Sequence, residues 1–335
     1  MTPLLLKYLC DPVDQQPLKL RNPVYNKAGH IVSGILAGKK GREYPIVRGV
    51  PRFIKTDTRG SVDGFGDQWN YFNYDDFYLQ WLHHTVKNTF GKPSYFKNKL
   101  VVDCGAGHGM QSRWMVEAGA KHVIAMELSH TVDDVMRKNL KGLEDKIDVI
   151  QCSIDQVPLR KNSIKGLVIC HNVLQHTPNS EKTAKELWSI TAPGGEFVFN
   201  SYVRMDGDPI RWLRHNFHMG WRRIISKAPF AVRLAYAHTM ATLRFVPVLG
   251  WVLEKSHLMG RGEVIPGPNY FSRAYRAGLV ITFDGYGGHT YQNHLSLDEQ
   301  RALAKQLQPN TKKWENAKEY FTQPMPIGAG LRLHK

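Results

Sequence analysis

Gly105, Gly107 and Gly109 stand at alternate positions directly after the apolar run "KLVVDC", residues 99–104. A G-x-G-x-G turn that follows a strand brings backbone amides and a helix N-terminus close to a ligand. The neighbouring acids narrow the ligand. Asp103 sits just ahead of the turn, and Glu127 closes the next apolar run, "HVIAME". A carboxylate at the end of the second strand can accept from both hydroxyls of a ribose. A carboxylate beside the glycines repels a pyrophosphate but attracts a cationic amine. Position 110 is Met, so the third glycine comes one residue early for the nicotinamide fingerprint G-x-G-x-x-G. No Lys-Ser or Lys-Thr follows, which excludes a Walker-type phosphate loop.

Proton chemistry has its own candidates. His171 and Asn172 directly follow the apolar "LVIC", and His176 comes one short turn later. Imidazole is the natural base near neutral pH, provided that it reaches its proton at hydrogen-bond distance. His171 is the first choice for that role and His294 the second. Asp284 and Tyr286 belong to a late stretch, "TFDGYGGHTYQNHLSLDEQ". The four cysteines, Cys10, Cys104, Cys152 and Cys170, form no C-x-x-C pair and read as buried thiols in a reducing cytosol. No metal-ligand spacing is visible, and no metal is expected.

The elements that must hold these residues alternate. "KLVVDCG", "KHVIAMELS", "KIDVIQCS", "IKGLVICHNVLQH" and "GEFVFNSY" read as strands. "GMQSRWMVEAG", "TVDDVMRKNLKG" and "EKTAKELWSITAPG" read as the helices between them, the second capped by Ser129 or Thr131. Such alternation predicts an α/β fold, a mostly parallel sheet covered on both faces, with ligands at the carboxyl ends of the strands. The chain of 335 residues divides into a β-rich module over 1–55, in which Pro45 and Pro51 demand edge or loop positions, and an aromatic segment over 56–95. "KTDTRGSVDGFG" is the linker between them, and "DQWNYFNYDDFYLQWLHHTVKNTF" reads as helix. The sheet core covers 96–204, a basic helical insertion or lid 205–265, and the rest of the core 266–335. "LSLDEQRALAKQL" is a helix capped by Ser296, and "GAGLRLHK" a last strand.

The net charge is +16, with 45 basic against 29 acidic residues, which favours anionic partners. From Arg211 to Lys255 there are eight Lys or Arg, three Trp and one acid, Glu254. This pattern serves a solvated helical face, a membrane surface or an anionic substrate.

"VVDCGAGHG" with "VIAMELS" resembles the cofactor site of the class I S-adenosylmethionine-dependent methyltransferases. "NVLQHTPN" resembles the V-L-x-H-x-P motif on the fourth strand in their small-molecule branch. The resemblance implies a Rossmann-like, seven-stranded sheet whose last strand is antiparallel, and S-adenosyl-L-methionine as cofactor. It places Asp103, Gly105, Ala106 and Gly107 beside the methionine moiety and Glu127 with Leu128 on the ribose. His171 also borders the cofactor. The family often has an acid near the adenine where this chain has Ser153, so Ser153, the Ile154 amide or Asp155 must serve. Lys165-Gly166 likewise replaces a common Phe-Asp. "FGDQWNYF" resembles the segment ahead of the catalytic domain in sugar- and glycan-associated methyltransferases, and it implies that Trp69 lies across the cofactor. The late D-x-Y pattern puts Asp284 and Tyr286 with the acceptor; Asn172 after the fourth strand and Arg222 and Arg223 of the basic insertion are further acceptor candidates, and His176 and Tyr286 join the catalytic candidates. Residues 4–54 resemble the small zinc-ribbon module found as an activator of methyltransferases or fused ahead of them. Its two cysteine pairs are missing, and Asp14 with His30 makes no adequate site, so a zinc-free scaffold is expected.

The resemblance therefore implies methyl transfer to a small-molecule, sugar or lipid-linked acceptor, and the basic, tryptophan-bearing insertion suggests that this acceptor is anionic or membrane-associated. The residue after the fourth strand begins "HNVLQH", neither the N-P-P-Y of base-amine modifiers nor paired cysteines, so nucleic acid is not the expected partner. The alternatives are an RNA or protein methyltransferase and a non-catalytic partner-binding subunit. The expected location is the cytoplasm, with peripheral contact at the inner face of an anionic membrane.

Overall fold

A computed structural model describes residues 1–54, 63–204, 209–260, 262, 264, 266–287, 291–308 and 330–335, with the backbone alone for 63–65 and Arg211. The expected linker lies mostly outside the described residues.

A four-stranded antiparallel sheet comes first: β1 (Lys19–Tyr25), β2 (Ile31–Ala37), β3 (Glu43–Val47) and β4 (Val50–Pro51), in that order. Pro45 was expected at an edge, but it sits in β3 between β2 and β4. β4 has only two residues, and the contact there runs from the Arg52 amide to the Pro45 carbonyl, which needs no proline N–H.

The larger sheet contains β5 (Leu100–Cys104), β6 (His122–Glu127), β7 (Ile147–Gln151), β8 (Leu167–Cys170), β9 (Glu196–Phe199) and β10 (Leu331–His334). Its order is β10-β9-β8-β5-β6-β7, with β10 antiparallel to β9 and the other pairs parallel. Seven strands were implied; six are present among the described residues. β6 and β8 are buried along their whole length, as strands covered on both faces must be. The strand order turns back between β5 and β8, the place where such sheets leave a crevice.

The helices are α1 (Asp63–Tyr71), α2 (Tyr78–Gln80), α3 (Lys87–Phe90), α4 (Met110–Glu117), α5 (Val135–Asn139) and α6 (Ser180–Ile190). After these come α7 (Pro209–Ile225), α8 (Phe230–Leu243), α9 (Pro247–Lys255), α10 (Tyr270–Gly285) and α11 (Leu297–Leu307). One apolar core lies on the α6–α11 face of the sheet and joins Leu5, Leu9 and Ile31 of the small module. The other lies on the α4–α8–α10 face and takes in Trp81, Phe96 and Trp114. Truncating a core ring such as Phe197 to Ala costs about 3–5 kcal/mol.

Two helix expectations change. The aromatic segment is broken after α1, where the Asn73 side chain accepts from the Asp75 amide in a local turn; a π-helical stretch, Trp81–Val86, then joins α2 to α3. α5 is five residues long, because a 3-10 turn at His130–Val132 takes up the start of the expected helix; neither Ser129 nor Thr131 caps α5. α11 has the full capping box, with Ser296 and Glu299 each closing the other's amide.

The small module covers the open edge of the large sheet. Phe53 donates its amide to the Gln151 carbonyl at 2.8 Å, and Arg52 donates to the Gln151 side chain at 2.7 Å. An exposed edge strand is a liability that this docking removes. Within the module, Arg42 pairs with the fully buried Asp11 at 2.8 Å and with Asp14 at 2.5 Å. His30 pairs instead with Asp145 at 2.8 Å.

Candidate active site

β5 ends at the switch point, and its glycine turn closes at once. Gly105, Gly107 and Gly109 have φ of 80°, 57° and 81°, the left-handed region in which a Cβ is strained. At Gly105 a Cβ would also fall 2.7 Å from the Val173 side chain, and at Gly107 3.0 Å from the Trp69 ring. β8's loop presses against Gly105, α1 against Gly107, and Leu140 at the end of α5 lies 3.3 Å from where a Gly109 Cβ would be.

Two carboxylates flank the turn on neighbouring strands. Asp103 is buried and accepts from Ser112 Oγ at 2.6 Å. Burial pushes its pKa up to about 6; the Ser112 hydrogen bond opposes this, and Glu127 adds to it. Glu127, also buried, accepts from the Gly107 amide and from the Ser129 amide, each at 2.8 Å. Gln151 donates to the Leu128 and Ser129 carbonyls, so the edge strand that carries the small module also braces this loop.

α1 lies over the turn. Trp69 faces Gly107 edge-on to His108, and Tyr74 stacks on His108 with ring centroids 4.0 Å apart. Burial lowers the His108 pKa to about 3, so the stacked imidazole is neutral. Gln68 reaches across to Tyr74 Oη at 3.2 Å and to Asp284 Oδ1 at 3.1 Å, while Tyr202 donates to Asp284 Oδ2 at 3.3 Å. The early "FGDQWNYF" and the late D-x-Y thus meet through one glutamine and one aspartate.

A cavity of about 870 Å³ lies beside this junction. Of the sequence candidates, His171, Asn172, Asp284 and Tyr286 are on its wall. Asn172 has φ 58° and is held by Asn200: its amide donates to Asn200 Oδ1 at 2.5 Å, and Asn200 Nδ2 returns to Asn172 Oδ1 at 3.0 Å. This pairing ties together the ends of β8 and β9. Tyr286 donates to the His257 carbonyl at 2.8 Å, and burial raises its pKa well above the usual phenol range.

Other candidates are elsewhere. Asp103, Gly105, Ala106, Gly107, Glu127 and Leu128 gather at the strand ends beside the cavity but off its wall. Ser153 and Ile154 follow β7; Ser153 bonds to Asp155, which opens onto a separate cleft of about 370 Å³ shared with Pro12 and Gln15. His176 and His294 are off the wall. His294 bonds to Gln292 at 2.8 Å, and burial next to His215 and His176 lowers its pKa to about 4, which makes it a weak proton acceptor. Arg222, expected to meet the acceptor, is buried and donates to the Gly285 and Gly287 carbonyls, capping the C-terminus of α10. Arg223 is exposed and off the cavity.

Sequence reasoning passed over Tyr74, His108, Asn200, His218 and His257, which also line the cavity. His108 was visible inside the glycine motif, and Asn200 ends an apolar strand much as Asn172 follows one. Nothing marked His218 or His257. Among the described residues, no three His, Cys, Asp or Glu side chains are placed to hold a metal.

Residues 102–199 match a family described as a methyltransferase domain. The sheet that carries them has the class I methyltransferase fold. Three curated relatives align with this region: a dimethylglycine N-methyltransferase of Parasynechococcus marenigrum, 35% identical over 32% of this chain; a ubiquinone biosynthesis O-methyltransferase of Aromatoleum aromaticum, 30% identical over 32%; and a sarcosine/dimethylglycine N-methyltransferase of Halorhodospira halochloris, 28% identical over 37%. The aligned parts cover 39, 45 and 43% of those relatives, so the chain spans less than half of each. A solved S-adenosylmethionine-dependent methyltransferase from Mesorhizobium loti is 25% identical over 32% of this chain and 49% of its own, with a TM-score of 0.30. S-adenosylmethionine is the cofactor that the domain implies. The residues are compatible with it: the buried Asp103 and Glu127 border a turn that has glycine at 105, 107 and 109, and among the described residues neither carboxylate is hydrogen-bonded to Lys or Arg.

Proposed function

We propose that the chain transfers a methyl group from S-adenosylmethionine to a small anionic acceptor, a sugar or lipid-linked molecule among them, held in the 870 Å³ cavity. The observation that carries the reading is the pair Asp103 and Glu127 on adjacent strand ends, beside a cavity walled by His171 and Asn172. The bound cofactor supplies an electrophilic methyl on a good leaving group. The chain must then orient the acceptor and exclude water. Asp103 holds the cofactor's ammonium, and Glu127 its ribose hydroxyls. Trp69 and Tyr74 close over the turn. Ser153 and the Ile154 amide serve the adenine end. His171 takes the acceptor's proton when that acceptor is a hydroxyl or a protonated nitrogen. Arg214 and Lys255, both on the cavity wall, favour an acceptor with negative charge.

The small module is a metal-free relative of the activator zinc ribbons in this reading, with the Arg42–Asp11–Asp14 ion pairs in place of the metal. A screen with methyl-labelled cofactor against sugar phosphates, lipid extracts, peptides and RNA tests the acceptor class. Label in an anionic small molecule supports the reading. Label in RNA or protein alone overturns it.

A further inference from the structure

Ile210, Leu213, Phe217, Trp221 and Ile224 recur along α7 at intervals of three and four residues, so they form one stripe. Such a stripe is normally core. Here Ile210 is 62% exposed, Leu213 63% and Ile224 63%. The packed side of α7 is a different one: His218 bonds to the His257 carbonyl and Tyr286, and Arg222 to the end of α10. A second exposed apolar patch forms where the α8–α9 turn meets the start of α10. Phe245 and Phe271 lie 6.0 Å apart there, both exposed, as are Val248 and Trp251 nearby in the chain. Monomeric proteins rarely leave apolar patches of this kind uncovered.

The surrounding charge selects the occupant. Arg223 and Lys227 are exposed at the C-terminal end of the α7 stripe, and Lys255 at the end of α9. Glu254 is the single acid between Arg211 and Lys255. Trp212 and Trp251 are exposed on the same two helices. An apolar stripe bordered by cations, with tryptophans that suit the headgroup region, is the composition of a helix that lies in a membrane interface. None of the described helices is long and apolar enough to cross a membrane, and interfacial docking requires none.

We propose that α7 and the α8–α9 turn form a docking face for an anionic lipid bilayer. The apolar side chains enter the acyl boundary, and Arg223 and Lys227 meet the headgroups. This face rests on exposure and charge and stands apart from the methyl-transfer reading. It has a consequence for that reading: α7 and α9 also carry Arg214, His218, Glu254 and Lys255 on the cavity wall, so the helices that meet the bilayer also wall the cavity.

Sedimentation of the full chain with phosphatidylcholine vesicles, with and without phosphatidylglycerol, tests the proposal. The wild type is expected to pellet with the anionic vesicles, and less so as salt rises. Leu213→Ser with Phe217→Ser should lower partitioning by about tenfold or more, with melting temperature and cofactor affinity unchanged. Arg223→Glu with Lys227→Glu should lower it by at least about tenfold as well. A wild type that stays in the supernatant overturns the proposal, as does undiminished binding by the serine variant. Sedimentation velocity covers the remaining occupant: a dimer that the serine variant turns into a monomer, without vesicle binding, assigns the face to a second copy and also overturns it. Cofactor titration of the same samples reports on methyl transfer separately, so failure of one reading is not mistaken for failure of the other.

Discussion

The two ends of the active region have opposite electrostatics. At the strand ends, Asp103 and Glu127 are buried with hydroxyl and amide donors, and among the described residues no cation is a hydrogen-bond partner of either. Across the cavity, Arg214 and Lys255 face a group of imidazoles. His218 there is held neutral, its pKa lowered to about 4 by burial. Asp284 is the hinge between the two ends, tied to Gln68 on one side and to Tyr202 on the other. Under the proposed function the contrast suits a cationic ligand at the first end and an anionic one at the second. It also makes the ends separable: a change at either should move one ligand's affinity and leave the other's alone.

Glu127→Ala should sharpen the contrast most. Hydrogen bonds to an ionised partner contribute about 1.5–3 kcal/mol each before water compensates, so S-adenosylmethionine affinity should fall by about 2–3 kcal/mol, roughly 30- to 150-fold. Calorimetric titration measures this, and the melting temperature checks the fold. Asp103 supplies a pH dependence. Its folded pKa of about 6 lies above the value of about 3.9 for an unfolded chain. The folded protein therefore holds a proton between these values that the unfolded chain releases, and the resulting stability is lost as pH rises from about 4 through 6. A cationic ligand requires the ionised form, so its affinity should fall about tenfold per pH unit below 6. Asp103→Asn should bind more weakly and show no such slope.

Gly107→Ala acts on the closure between the ends. It forces a side chain into φ 57° and against Trp69, and should cost about 1–2 kcal/mol by denaturant unfolding. The smallest effect on the ligands is expected from Arg42→Ala. It leaves the buried Asp11 without its Arg42 ion pair and should lower the melting temperature, with less effect on cofactor affinity than the other variants, because Asp103 and Glu127 have no hydrogen bond to a described module residue.

The strand-end site was legible because its demands are local. A left-handed turn asks for glycine, and a carboxylate at a strand end needs one residue, so Gly105, Gly107, Asp103 and Glu127 could be read from spacing alone. The sheet was legible for the same reason, since its strands are short continuous apolar runs. The cavity's far side was not. His218 and His257 come together because α7 packs against the end of α9, and no periodicity reports which side of a helix will pack. The insertion misled in the same way. Eight basic residues read as one charged surface, yet Arg222 and Arg233 are buried and Arg244 donates to the Ala274 and Gly262 carbonyls. A guanidinium bonded to a backbone carbonyl looks, in sequence, like one in water.

The most direct test of the central claim is calorimetry of the wild-type chain with S-adenosylmethionine and with NAD at pH 5 and pH 8. S-adenosylmethionine should bind at pH 8 and about tenfold more weakly at pH 5, as Asp103 takes up its proton, and NAD should give no heat at either pH. NAD binding without S-adenosylmethionine heat would contradict the account, because a pyrophosphate would then sit beside a carboxylate that was taken to exclude it.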